Sequence, residues 1–158
     1  MRKRSKYRPK GVRLDNMTWV QAGLKKVDAI GAGTTLKIRN HDAMNNIRLG
    51  VATKTDVDAV IDAFNVAEAL AKRGMGADWA AEIRAAQDAL LTLARRGVER
   101  GHKFIVRSEE LNAMNLGMQI HDAQLDAVTV RELEQAMDDV MENLKHKRMR
   151  PVVQTTTA

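Results

Sequence analysis

Four stretches of the chain repeat their apolar residues at the three- and four-residue spacing of a helix buried on one side. In the first, Val57, Val60, Ile61, Phe64, Ala67 and Ala71 share a face, Thr53 with Asp56 forms a capping box ahead of them, and Gly74 stops the run. The second spans about Ala77 to Arg100, with Trp79, Ile83, Ala86, Leu90, Leu91 and Ala94 on one face and Gly97 and Gly101 weakening its far end. The third opens on Ser108 as cap, with Glu109 and Glu110 suiting the helix dipole, and carries Leu111, Met114, Met118, His121, Leu125 and Val128. The fourth follows a Thr129–Glu132 capping box and turns Leu133, Met137, Val140, Met141 and Leu144 inward. So short a connection predicts that the last two helices fold back as an antiparallel hairpin.

Shorter elements surround these. Asp15 or Asn16 can cap a helix from Met17 through Trp19 and Leu24 to about Val27. Gly31–Asn40 is the least helical part of the body, and the alternation over Thr34–Arg39 predicts a short strand or extended connector. Asn40 then caps a helix over 41–49 that ends at Gly50, and Lys103–Arg107 is extended chain tucking Phe104 and Ile105 onto the core. The expected fold is all-α, a compact bundle of about four main helices plus one or two short ones. It forms a single domain over 14–147, between a flexible basic arm at 1–13 and a flexible tail at 148–158.

Composition agrees with that picture. The 158 residues make one ordinary domain, aromatic residues are 3% and prolines two, which suits an alanine- and methionine-rich helical core better than a β-sandwich. The absence of cysteine excludes disulfide scaffolds, zinc ribbons, cysteine nucleophiles and thiol redox chemistry. Met114, Met118, Met137 and Met141 fall on facing stripes of the expected hairpin and are read as core filler, with an exposed methionine groove for a partner helix as the alternative. The stripe of the third helix packs within the chain or pairs two chains, which leaves a homo-oligomer open. No run reaches the length of a membrane span or of a secretory signal, so the expectation is a cytoplasmic protein without a membrane partner.

Charge changes the picture more. The net charge of +6 resolves into seven cations without an acid in residues 1–13, four more without an acid in 145–158, and 15 basic against 20 acidic residues between them, a net of −5. Arg2, Lys3, Arg4, Lys6, Arg8, Lys10 and Arg13 have the density of a segment that neutralises phosphates, and Tyr7 can stack on a base. Lys147, Arg148 and Arg150 extend that candidate nucleic-acid surface, while Lys145 and Lys147 are also explained by the helix dipole. The same arm read as a plain solvated tail is the competing account.

Catalytic signals are few. The glycines at 31–33 and 74–76 lack the remainder of a phosphate loop, and the only serines, Ser5 and Ser108, sit in no nucleophile elbow. His-Asp-Ala occurs twice, at 41–43 and 121–123, and His102, His121–Asp122 and Asp138 or Asp139 follow the order of a metal-dependent HD phosphohydrolase at compressed spacing. The structural account places His121 in the seam between Met118 and Leu125 and Asp42 in a helix first turn. No metal site and no cofactor is assigned.

The segments RKRSKYRPKGVR at the start, HDAMNNIRLG and DAVIDAFNVAEAL in the middle, and IHDAQLDAVTVRELEQAMD near the end resemble a family of small proteins carried by bacteriophages and prophages of proteobacteria. The resemblance covers nearly the whole chain. It implies a phage setting and a bacterial host cytoplasm, and brings no activity, cofactor or site residue with it. The functional expectation is a non-enzymatic helical protein that binds nucleic acid, without sequence readout, through its cationic arm. Capture of a host protein through the acidic body is the alternative.

Overall fold

The computed structural model describes residues 26–27 and 31–152. Among these described residues there are five α-helices, α1 Ala32–Leu49, α2 Lys54–Lys72, α3 Ala80–Glu99, α4 Ser108–Ala127 and α5 Val130–Lys145, with a 3-10 turn at Ala77–Trp79 leading into α3. The all-α expectation is therefore met. Of the expected Met17–Val27 helix only the last two residues are described, and they are not helical: Lys26 forms an isolated antiparallel bridge with Thr129.

Local chemistry sets most boundaries. The Thr53 amide donates to Asp56 Oδ2 at 2.8 Å, and the Asp56 amide returns the bond to Thr53 Oγ1. At α5 the Thr129 amide donates to Glu132 Oε2 at 2.7 Å and the Glu132 amide to Thr129 Oγ1. Ser108, expected as a cap, is instead the first residue of α4. The carboxylate of Glu110 closes that end by accepting from the Arg107 amide at 2.9 Å. It is held there by Arg96, whose Nη1 and Nη2 reach its two oxygens at 2.7 and 2.6 Å. This mostly buried pair, first of all the Arg96 hydrogen bond, keeps the Glu110 carboxyl below the usual carboxylate range.

The stretch expected to be extended is helical. α1 begins at Ala32, so Thr34–Arg39 is neither strand nor connector, and Asn40 is no cap but a buried mid-helix residue. Of the alternating Thr34, Leu36 and Ile38, only Leu36 is partly covered, and the other two face solvent. The buried set Gly33, Asn40, Ala43, Met44 and Ile47, with Leu36 partly covered, has helical spacing. Gly50 does end the helix, with a left-handed φ of 73° and bonds from its own amide to Ile47 O and from Val51 N to Asn46 O.

α2 is the central element, touching α1, α3, α4 and α5, while α3 and α4 form the most extensive helix pair. The main core joins Met44 and Ile47 of α1, Val60 and Phe64 of α2, Leu90 and Leu93 of α3, and Met114 and Met118 of α4. A second cluster gathers Leu70, Leu125, Leu133, Ala136 and Val140 around Val27 and Val128.

The expected α4–α5 hairpin is not formed, for α5 lies on α2. Val128 and Thr129 both adopt extended backbone, and Val27 wedges in at that point with its amide on Val128 O at 3.2 Å. The two helices therefore diverge. As a result the buried face of α5 is Leu133, Ala136 and Val140, and Met137 and Met141 are not core filler but 49% and 63% exposed. In the 103–107 connector Phe104 is buried as expected but Ile105 is exposed, because successive side chains of extended backbone point to opposite sides.

Two helical glycines permit the closest approaches. A Cβ on Gly97 would fall 2.2 Å from Cδ1 of the Phe104 ring, and one on Gly117 2.4 Å from Cβ of Ala86 and 3.2 Å from the Phe64 ring. Gly117→Ala is expected to destabilise the fold by roughly 1–3 kcal/mol, since α4 must move off α3. Urea denaturation of the variant checks this, and an unchanged midpoint would show that the interface is not close-packed.

Candidate nucleic-acid interface

Arg2, Lys3, Arg4, Lys6, Tyr7, Arg8, Lys10 and Arg13 lie outside the described residues. The C-terminal members of the candidate surface do not. After α5, the amides of Lys147 and Arg148 bond back to Leu144 O and Asn143 O, and Lys147 takes a left-handed φ of 53°. That reversal sends 148–152, expected to belong to a flexible tail, back across the body. Met149 and Val152 pack against the two core clusters, Arg150 Nη1 meets Asp88 Oδ1 at 2.6 Å, and Arg95 Nη2 donates to Pro151 O at 3.0 Å.

The returning chain forms one wall of a cleft of about 390 Å³ between α2 and α3. Its floor is Ile61, Phe64, Leu90 and Leu91, and its rim carries Lys72, Arg84, Arg148 and Arg150. Lys72 and Arg84 lean on Glu68, at 3.2 and 3.8 Å from Oε1, and Gln87 Nε2 donates to its Oε2 at 3.2 Å. Partial burial pushes the Glu68 carboxyl up, but the bonds from Gln87 and Lys72 and the charge of Arg84 outweigh it and hold the group ionised below its ordinary value. The Arg148 side chain has no hydrogen bond or ion pair among the described residues, and Lys147 is exposed. Nothing in the spacing of residues marks Lys72 and Arg84 as neighbours of Arg148 and Arg150, because that juxtaposition arises only from the reversal at Lys147.

Elsewhere, further cations of the body are tied to acids. Arg73 makes a two-pronged contact with Asp139 at 2.6 and 3.0 Å and reaches Gln135, joining α2 to α5. Lys37 pairs with Asp126 between α1 and α4, and Lys54 with Asp58 within α2.

The two His-Asp-Ala tripeptides meet. His41 Nε2 and Asp122 Oδ2 are 2.6 Å apart, so each repeat supplies one half of an α1–α4 contact. His121 turns the other way into the core, 2% exposed, with Nδ1 3.5 Å from Gln124 Oε1. Gln124 in turn donates from Nε2 to Ala67 O and Met75 O, fastening α4 to the end of α2. His102 lies in the loop after α3 against Phe104, and Asp139 is engaged by Arg73. The HD-type set is thus not brought together, and among the described residues no group of three or more His, Asp or Glu is placed to hold a metal.

Trp79, expected on the buried face of α3, is half exposed because the 3-10 turn precedes that helix and sets its own direction. It borders a second, apolar groove of about 470 Å³ with Met75, Leu116, Ile120, Ala123 and Ala127. No described helix is long and apolar enough to cross a membrane. Comparison of the chain with protein families, curated proteins and solved structures finds no match.

Burial lowers the His121 pKa to about 4, so the ring is neutral in the fold. A depressed histidine lets the unfolded chain bind the proton first, so stability is independent of this group above about pH 6.5 and falls as pH drops from there to 4. The loss attributable to it is of the order of 3 kcal/mol. Urea midpoints of wild type and His121→Leu between pH 7 and 4.5 check this: the variant is expected to lose most of the slope, and parallel curves would contradict the assignment.

Proposed function

We propose that the protein binds nucleic acid through its N-terminal cations, with Lys147 and Arg148 as secondary phosphate contacts. The observation that carries this reading is the division of charge. Residues 1–13 hold seven cations and no acid, whereas the body is net acidic and commits Lys37, Lys54, Lys72, Arg73, Arg84 and Arg96 to its own carboxylates. Cations already paired have less to gain from a phosphate, and the dense, acid-free run at 1–13 supports a polyanion there. Recognition of this kind neutralises the backbone and carries little base readout. The reading is non-enzymatic, needs no cofactor, and agrees with the phage setting and host cytoplasm implied by the resemblance.

A second reading, capture of a host protein by the body, is favoured by one feature, the half-exposed Trp79 over its apolar groove. Large aromatic anchors of this kind dominate protein interfaces. A nuclease-treated pull-down in which Trp79→Ala loses a stoichiometric partner, while removal of residues 1–13 does not, would favour it.

For the first reading, fluorescence anisotropy against a short oligonucleotide is expected to show affinity falling steeply with salt, with a log–log slope of about −5 if most of the seven arm cations touch phosphate. Deletion of residues 1–13, with circular dichroism confirming the helices, is expected to flatten that slope and weaken binding at least about a hundredfold at low salt. Unchanged affinity after the deletion overturns the proposal.

A further inference from the structure

The cleft between α2 and α3 has a polar and an apolar end. The two helices run antiparallel along it. Gln87 lies across from Phe64 and Glu68, donating from Nε2 to Phe64 O at 3.4 Å and to Glu68 Oε2 at 3.2 Å, and one turn back on α3 Arg84 also faces Glu68. The same register sets Leu90 and Leu91 across from Ile61. One end of the cleft is thus formed by Ile61, Phe64, Leu90 and Leu91, and the other by Glu68, Lys72 and Arg84. From Ile61 to Lys72 the lining stripe of α2 extends about 16 Å. The half-exposed Leu144 and the returning chain at 148–152 cover it from the α5 side. Its volume of about 390 Å³ is that of a small-molecule site.

The charges around the cleft do not cancel. Four cations line it, Lys72, Arg84, Arg148 and Arg150, with Glu68 as the acid among them. Arg150 is taken up by Asp88 at 2.6 Å, and Lys72 by Glu68 at 3.2 Å. Arg84 stands 3.8 Å from the same Glu68 oxygen and its side chain makes no hydrogen bond among the described residues, and that of Arg148 has neither hydrogen bond nor ion pair among them. The bordering pairs Arg73–Asp139 and Lys145–Glu142 are neutral as pairs. Asp62, next to Ile61, interacts with Arg39 of α1. Asp138, close to Arg73, has a counterpart in Arg95, which holds Pro151 O on the far side of the returning chain. An excess of two positive charges is left, on Arg84 and Arg148.

An apolar trough that ends in cations with donors to spare matches one kind of ligand. A neutral apolar molecule would leave Arg84 and Arg148 as they are, and a small inorganic anion would leave the trough unfilled. We propose that the cleft binds a small amphipathic anion, its charged head at Arg84 and Arg148 and its apolar body along Ile61, Phe64, Leu90 and Leu91. Arg84 and Arg148 supply charge-assisted hydrogen bonds to the head. Removal of the body from water supplies the remainder of the affinity. Because Arg148 and Val152 belong to the returning chain, the ligand also ties that segment to α2 and α3.

The test uses octanoate as probe and octanol, the same chain without the charge, as control. Amide shifts of full-length protein titrated to about 5 mM are expected to saturate at 61–68, 84–91 and 148–150, with octanol at least about tenfold weaker. Replacing both exposed arginines, Arg84→Gln with Arg148→Gln, is expected to leave the circular dichroism unchanged and to weaken octanoate about tenfold while leaving octanol as it was. Leu91→Gln is expected to weaken both probes. Should that variant fail to fold, Leu144→Gln, at a half-exposed position, gives the same readout. Removal of residues 1–13 is expected to change none of this, which keeps the outcome separate from that of the nucleic-acid reading. Absence of a saturable shift at the cleft, equal affinity for octanoate and octanol, or perturbations centred on the Trp79 groove overturns the proposal. So does loss of octanoate binding when residues 1–13 are removed.

Discussion

Gly117 is where α4 meets two helices at once. Its missing side chain admits Ala86 of α3 on one side and the Phe64 ring of α2 on the other, at distances that even a methyl group would violate. Phe64 is nearly inaccessible and joins the main core, so the placement of α4 determines where Met114 and Met118 can reach. With almost no aromatic side chains to fill space, the chain stabilises itself by bringing backbones close and packing alanine, leucine and methionine between them. Gly97 and Phe104 repeat the device at the other end of α3.

The position of α4 leads to the rest. Gln124 near its end satisfies two carbonyls, one on α2 and one in the following loop, and so fixes how α4 ends relative to its neighbour. From there the extended pair Val128–Thr129, with Val27 inserted beside it, directs α5 onto α2. That choice buries Leu133, Ala136 and Val140, leaves Met137 and Met141 on the surface, and makes the Arg73–Asp139 contact the clasp between the two helices. The reversal at Lys147 then returns the chain to α3, where Arg150 meets Asp88.

What could be read in the sequence divides along the range of the interactions concerned. Thr53 with Asp56 and Thr129 with Glu132 are contacts three residues apart, and both helix starts fall where those pairs predict. Leu111 through Leu125 declares its buried stripe by spacing alone. The misreadings come where a distant partner decides. Thr34–Arg39 alternates through Thr34, Leu36 and Ile38, of which only Leu36 is partly covered, while the residues that meet the core keep helical period. Met137 and Leu133 have equal claim to the interior until it is known that α2, not α4, is the neighbour. The candidate interface behaves likewise: the clustering of cations at the ends is plain from composition, but the cleft that joins Arg148 and Arg150 to Lys72 and Arg84 exists only because the chain doubles back. The paired His-Asp-Ala tripeptides show the converse, a repetition suggestive of chemistry that serves as an α1–α4 contact.

In the proposed function, contact with a polyanion belongs to the cation-rich ends of the chain, and the helical body, net acidic between them, is the scaffold. The most direct measurement is residue-resolved NMR of the full-length protein titrated with a short oligonucleotide at low salt. Amide perturbations are predicted at residues 2–13 and 145–150, with the exposed faces of α1 and α3 unmoved apart from the turn of α3 around Asp88 that holds Arg150. Perturbations spread over the helical body, with residues 2–13 unaffected, would contradict it.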